Sequence, residues 1–102
     1  MESGIRREED RLFVYGSIIC DSVVAVTRTG AAAIQSGVRV IDLAGIIQVD
    51  SSAVSMLLEW VRTMQLHDRQ IEFINLPANL AGLVELYDVS HLIPSGCTGL
   101  SG

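Results

Sequence analysis

The sequence predicts an α/β domain in which a small, mostly parallel sheet carries its helices mainly on one face. Runs rich in β-branched and aromatic residues alternate with runs whose apolar residues recur at helical spacing, in the order strand, helix, strand, helix, strand, helix. With 102 residues, the chain has room for one core. Helices on both faces would need more chain, so we expect the other face to stay partly open or to be held by the N-terminal residues.

The first strand is predicted over residues 11–20 (RLFVYGSIIC), which are rich in β-branched and aromatic types. Gly16 inside this run indicates a bulge or a close backbone approach. Cys20 at the end of the run is interpreted as a small core residue. Residues 1–10 are charged and lack periodicity, and we interpret them as a flexible leader that precedes the domain.

A first helix is predicted to begin after Asp21 and Ser22, both favourable N-cap types, and to end near Gly37. Its apolar stripe should comprise Val24, Thr27 or Arg28, Ala31 and Ile34. The β-branched run at residues 38–43 (VRVIDL) is typical of a strand buried on both faces of a parallel sheet. Residues 44–49 are interpreted as a turn.

The longest helix is predicted to begin after Asp50 and to run through SSAVSMLLEWVRTMQL. Its sheet-facing stripe should comprise Val54, Leu57, Leu58 and Val61. Another strand is predicted over residues 70–76, followed by a third helix with an apolar stripe of Leu80, Leu83, Val84 and Tyr87. The domain is expected to span residues 11–95, and the Gly- and Ser-containing residues 96–102 are expected to form a flexible tail.

The composition argues against several classes of function. Seven arginines, no lysine and twelve acidic residues leave a net charge of −5, which disfavours nucleic-acid and membrane-surface binding. No apolar run approaches the roughly 20 residues that cross a bilayer, so we expect a cytoplasmic protein without direct membrane insertion. The two cysteines and two histidines lack metal-ligand spacing, and neither a metal nor another cofactor is expected.

Carboxylate and hydroxyl groups are predicted to converge at the start of the longest helix. Asp42 would close the central strand and Asp50 the following turn, while Ser51 and Ser52 would open the helix beside its free N–H groups. One interpretation is structural: Asp50 caps the helix, and Asp42 accepts hydrogen bonds from loop amides. The other is that Ser51 is a phosphoacceptor or a partner-contact residue, since a phosphate would add about −1.5 to −2 charges there.

Met56 and Trp60 lie beside the sheet-facing stripe of the same helix. Because Trp and Met are enriched in the cores of protein interfaces, both are candidates for a hydrophobic partner-binding anchor next to Ser51. Partial burial within their own domain is the alternative. An enzyme is not expected, because the sequence has no GxSxG elbow, Walker loop or GxGxxG, and neither His67 nor His91 is placed to act as a base.

Taken in order, these segments resemble a known family. The strand with Gly16, then VRVIDLAGIIQVDSSAVSMLLEW, IEFINLP and NLAGLVELYDVSHLIP, is similar to the STAS domain over about residues 11–95. The order of strand, loop, Asp-Ser-Ser and leucine-rich helix is the most specific part of the resemblance. It implies the STAS fold.

Two branches of this family imply two roles. The leucine-rich helix resembles that of the MlaB-type STAS subunit of the Mla phospholipid-transport ABC system. This likeness implies a non-catalytic subunit that binds and supports the ABC ATPase and helps to maintain outer-membrane lipid asymmetry. In that role, the contact residues would be Asp50, Ser51, Ser52, Met56 and Trp60. In the anti-sigma-factor antagonist branch, a partner serine kinase phosphorylates the position of Ser51, but that branch usually has glycine where this chain has Ala53.

Overall fold

The structure is a computed structural model that describes residues 3–87 of the chain. It contains four strands and three helices in this range, in the order β1 (Ser3–Glu8), β2 (Arg11–Ile18), α1 (Val23–Gln35), β3 (Val40–Val49), α2 (Ser51–Leu66), β4 (Glu72–Ile74) and α3 (Ala78–Leu86). The predicted tail at residues 96–102 lies outside the described residues. None of the described helices is long and apolar enough to span a membrane.

The four strands form one sheet in the order β1-β2-β3-β4. β1 runs antiparallel to β2, whereas β2, β3 and β4 are mutually parallel. Both parallel connections step across the sheet in the same direction, so their right-handed crossovers place α1 and α2 on the same face. This topology confirms the predicted α/β class with a mostly parallel sheet and helices on one face.

The interpretation of residues 1–10 as a leader is wrong, because Ser3–Glu8 forms the edge strand β1. The strand pairs with β2 from Ser3 opposite Gly16 to Glu8 opposite Arg11. The sequence shows no periodicity here because Ile5 is the main residue of β1 that packs against the core. Charged side chains on an exposed edge strand also limit its pairing with other chains.

Strand β3 is longer than predicted, since residues 44–49 continue the strand instead of forming a turn. Two register shifts against β2 each insert one extra residue into β3, first between Asp42 and Gly45 and then between Ile46 and Gln48. Gly16 of β2 lies at the second shift with a φ of 88°, which confirms the predicted bulge. Bulges release backbone groups from the ladder, and these groups need other partners.

Side chains satisfy the backbone groups beside both bulges. The Asp42 carboxylate accepts from the N–H of Ala44 at 2.9 Å and from the Asn75 side-chain amide at 3.2 Å. The Asn79 amide donates to the Ile47 carbonyl at 3.3 Å. The structural interpretation of Asp42 is therefore confirmed, and its carboxylate belongs to the bulge in β3.

The core lies between the sheet and the helices, and it includes residues of β2, β3, β4 and all three helices. On α1, the buried residues are Val26, Gly30, Ala33 and Ile34. The predicted stripe was wrong at Val24, whose side chain is 59% exposed. The prediction that Cys20 is a core residue was also wrong: β2 ends at Ile18, and the thiol is exposed in the following turn.

The opposite face of the sheet carries side chains that alternate with the buried Leu12 and Val14 of β2. Phe13 is half-buried beneath the Arg6 guanidinium, 5.3 Å from the ring centroid. Tyr15 is 42% exposed and lies against Gly4 of β1. This face is thus partly open, and β1 extends the sheet instead of covering it.

We expect Asp42→Ala to lower the free energy of unfolding by about 1–3 kcal/mol, because it removes the charged acceptor of both the Ala44 N–H and the Asn75 amide. Asp42→Asn retains a side-chain carbonyl and should cost less. Urea denaturation followed by far-UV circular dichroism measures both changes. If Asp42→Ala were as stable as the unmodified chain, water would have to satisfy the bulge in place of the carboxylate.

Candidate functional site

The start of α2 is held by the carboxylate of Asp50. One oxygen accepts from the backbone N–H of Ser52 at 2.8 Å, which is the side-chain cap of the helix. The other oxygen accepts from the backbone N–H of Cys20 at 3.2 Å. Asp50 therefore ties the turn after β2 to the first turn of α2, and the predicted capping role is confirmed.

These hydrogen bonds stabilise the charged form of the Asp50 carboxylate. The backbone N–H of Ser52 has the largest effect and lowers the pKa of Asp50 below its ordinary value, with the N–H of Cys20 acting in the same direction. Partial desolvation opposes them. The carboxylate consequently stays ionised at neutral pH.

Ser51 is the first residue of α2, and its side chain is exposed, whereas Ser52 is half-buried and Ala53 is fully buried. The Ser51 hydroxyl lies where the partial positive charge of the helix N-terminus is concentrated. It is thus accessible both to a partner surface and to a modifying enzyme.

The predicted convergence of Asp42 with this site is wrong. Asp42 and Asp50 lie eight residues apart along an extended strand, which corresponds to roughly 25 Å. Because the segment between them is strand and not turn, the Asp42 carboxylate belongs to the middle of the sheet. Only Asp50, Ser51 and Ser52 of the predicted polar group come together.

Met56 and Trp60 do not form the predicted surface anchor. Trp60 is 0% exposed and Met56 is 1% exposed, because α1 packs along this flank of α2. The alternative of burial within their own domain holds for both residues. The sequence pattern indicated one buried stripe, but α2 buries two, with the sheet on one side and α1 on the other.

A groove that the sequence pattern did not predict runs between the N-terminal halves of α1 and α2. We call it the α1–α2 groove. It encloses about 450 Å³, and its lining residues are Val23, Val24, Thr27, Arg28, Ser52, Ser55, Met56 and Glu59. The Val23-Val24 pair at the start of α1 was the available signal, because one buried stripe accounts poorly for two adjacent valines.

A second hollow of about 470 Å³ lies on the other side of the same helix start, between α2 and the end of α3. It is lined by Ser51, Ser52, Val54, Ser55, Leu58 and Tyr87. Ser52 and Ser55 line both hollows. We call Ser51, Ser52 and Ser55 the serine ridge, since they separate the two depressions on this surface.

Comparison with known proteins agrees with this fold. A family model described as Mlab, STAS domain, matches residues 1–94. The chain belongs to this STAS-domain family. The match includes β1, which places the edge strand inside the domain. No curated protein matches the chain.

Two solved structures are similar to this member of the STAS family. The anti-sigma factor antagonist SpoIIAA in its unphosphorylated form aligns with a TM-score of 0.68 at 13% identity, over 94% of this chain and 89% of that chain. A crystal structure of Mglu aligns with a TM-score of 0.52 at 26% identity, over 68% of this chain and 18% of that chain. At 13% identity, the likeness to SpoIIAA shows the fold alone.

We expect Asp50→Asn to destabilise the domain by about 1 kcal/mol at neutral pH, because the amide keeps one oxygen for the cap of α2 but loses the charge and the second oxygen, which accepts from the Cys20 N–H. Since the folded-state pKa of Asp50 is lowered, its charge contributes stability that is complete above the unfolded pKa of about 4 and is lost as pH falls through the lower folded value. Urea unfolding from pH 7 to pH 3 should show the two proteins converging towards acid pH. A difference that stayed constant over this range would contradict the role of the charge.

Proposed function

We propose that the chain is a non-catalytic STAS subunit that binds and supports the ATPase of an ABC transporter for intermembrane phospholipid transport. In this role it acts in the cytoplasm, associated with the inner-membrane complex, and helps to maintain outer-membrane lipid asymmetry. The membership in the MlaB-type family supports this assignment. The single structural observation that carries it is the exposed serine ridge at the start of α2, next to an open apolar groove.

The docking surface that we propose consists of the serine ridge and the α1–α2 groove. Val24 and Val23 form one apolar wall, while the hydroxyls of Ser52 and Ser55 border the other. A groove between two helices accommodates the apolar side chains of a partner helix, and the polar rim fixes its orientation. Asp50 contributes indirectly, because its carboxylate holds the first turn of α2 in place.

The inner end of the groove, furthest from the starts of the two helices, carries opposite charges: Arg28 on α1 and Glu59 on α2. Glu59 also forms an exposed ion pair with Arg62 at 2.9 Å. The exposed Glu59–Arg62 pair contributes little to stability. The opposite charges of Arg28 and Glu59 instead favour one orientation of a charged partner over the reverse.

Val24→Glu should weaken binding to the cognate ABC ATPase by about 10-fold or more, because it places a charge in the apolar wall of the groove. Leu66→Glu is the matched control: Leu66 is also exposed, 68% against 59% for Val24, but it lies at the opposite end of α2. Biolayer interferometry with the purified ATPase measures both affinities. Equal affinities for the two variants would remove the groove from the docking surface.

Ser51→Glu tests the serine ridge. A negative charge at the first helical position interacts favourably with the partial positive charge of the helix N-terminus, so the variant should remain folded. We expect its binding to the ATPase to fall by about 10-fold, since the bulkier charged group must be buried in the interface. Unchanged affinity, together with an unchanged melting temperature, would exclude Ser51 from the contact.

An anti-sigma-factor antagonist switched by phosphorylation of Ser51 is the second candidate. The exposure of Ser51 at a helix N-terminus favours it, because a kinase can reach the hydroxyl and the N–H groups stabilise the added charge. Incubation with a cognate anti-sigma serine kinase and ATP, followed by intact mass spectrometry, distinguishes the candidates. One added phosphate that is absent in Ser51→Ala supports the switch, and an unmodified mass counts against it.

A further inference from the structure

The only tryptophan of the chain, Trp60 of α2, packs tightly against Gly30 of α1. Gly30 of α1 faces the Trp60 indole so closely that an added Cβ would lie 2.3 Å from Cζ2 and 2.4 Å from Cε2. Carbon atoms in ordinary contact are 3.5–4.0 Å apart. No residue other than glycine therefore fits at position 30 while the two helices keep this separation.

The indole is fixed on its other sides as well. Its Nε1–H donates to the backbone carbonyl of Thr27 at 2.9 Å. Its ring is parallel to that of Phe73 in β4, with an interplanar angle of 8° and centroids 6.4 Å apart. Since β4 belongs to the sheet, Trp60 cannot yield to α1 without disturbing the sheet packing. The distance between the helices is therefore set at this point.

The α1–α2 groove begins one turn before this contact. Thr27, whose carbonyl accepts the indole hydrogen bond, lines one wall of the groove, and Met56, one turn before Trp60, lines the other. Because β2 and β3 are parallel, α1 and α2 also run parallel to each other. The close contact at Gly30 thus lies just beyond the inner end of the groove, whose lining residues belong to the N-terminal halves of the two helices.

We propose that Trp60 and Gly30 are a positioning pair: their contact sets the separation of α1 and α2, and thereby the width of the groove that receives the partner. The inference rests on the proposed function for the identity of the partner. Trp60 itself is sealed from solvent and does not touch the partner. Its effect on binding is transmitted through Thr27 and the valines of the α1 wall.

Gly30→Ala tests the pair directly. The added methyl must move away from the indole by roughly 1.5 Å to reach ordinary contact. Spin labels attached through Val24→Cys and Ser55→Cys, on opposite walls of the groove, report this change. The two native cysteines are removed by Cys20→Ser and Cys97→Ser, so that only these positions carry labels. We expect double electron–electron resonance to show a longer mean distance between the labels. Without the labels, the same substitution should weaken binding to the purified ABC ATPase by at least 10-fold.

Gly82→Ala is the matched control. Gly82 is also a helical glycine, in α3, but an added Cβ there meets nothing within 4 Å. This variant should leave both the label distance and the affinity for the ATPase unchanged. An equal effect of Gly30→Ala and Gly82→Ala would overturn the proposal, because the loss would then follow from replacing a helical glycine and not from the contact with Trp60.

Trp60→Phe keeps the test decisive if Gly30→Ala fails to fold. It preserves an aromatic ring beside Phe73 but removes the donor to Thr27. We expect a broader distribution of label distances and several-fold weaker binding, in a protein that circular dichroism shows to be folded. A lower melting temperature with unchanged label distances and unchanged affinity would show that Trp60 contributes to stability only, and this would overturn the proposal.

The binding of the ATPase and the spacing of the two helices can be tested independently. If the unmodified chain did not bind the ATPase, the proposed function would fail. The label distances would still decide whether the contact of Trp60 with Gly30 sets the width of the groove. If the unmodified chain bound and the distances in Gly30→Ala and Trp60→Phe matched the original, the positioning pair alone would fail.

Discussion

The contact between the Trp60 indole and the backbone of α1 is the interaction on which the helical layer depends. It joins three elements, because the same side chain packs on Gly30 of α1, projects from α2 and faces Phe73 of β4. The hydrogen bond to Thr27 satisfies the one polar atom of the ring, so the indole can be buried without an unpaired donor. A large rigid group held in this way leaves α1 and α2 one relative position.

The start of α2 is fixed by a different kind of interaction. Asp50 accepts from two backbone N–H groups that belong to separate turns, and this joins the end of β2 to the helix start. A carboxylate that binds backbone donors retains its charge and keeps the first turn of the helix from fraying. Ser51 can then be exposed at low cost, since the residue before it carries the capping role.

The surface next to Asp50 combines features that a binding module needs. Two hollows flank the serine ridge. Its serines lie beside apolar side chains of α1 on one side and beside the end of α3 on the other. In the proposed function, binding depends on the placement of α2 against its two neighbouring helices. This explains why proteins of one fold can serve different partners through changes in a few exposed residues.

The sequence by itself determined the mostly parallel sheet, the three helices, the Asp50 cap and the irregularity at Gly16, because these follow from local periodicity and from the chemistry of single residues. Only the tertiary structure decided that Ser3–Glu8 is a strand, that residues 44–49 continue β3, and that Met56 and Trp60 are buried. An edge strand that buries few side chains has little apolar periodicity in its sequence. The second buried flank of α2 depends on Gly30, a residue 30 positions away, so its cause could not be seen within the helix itself.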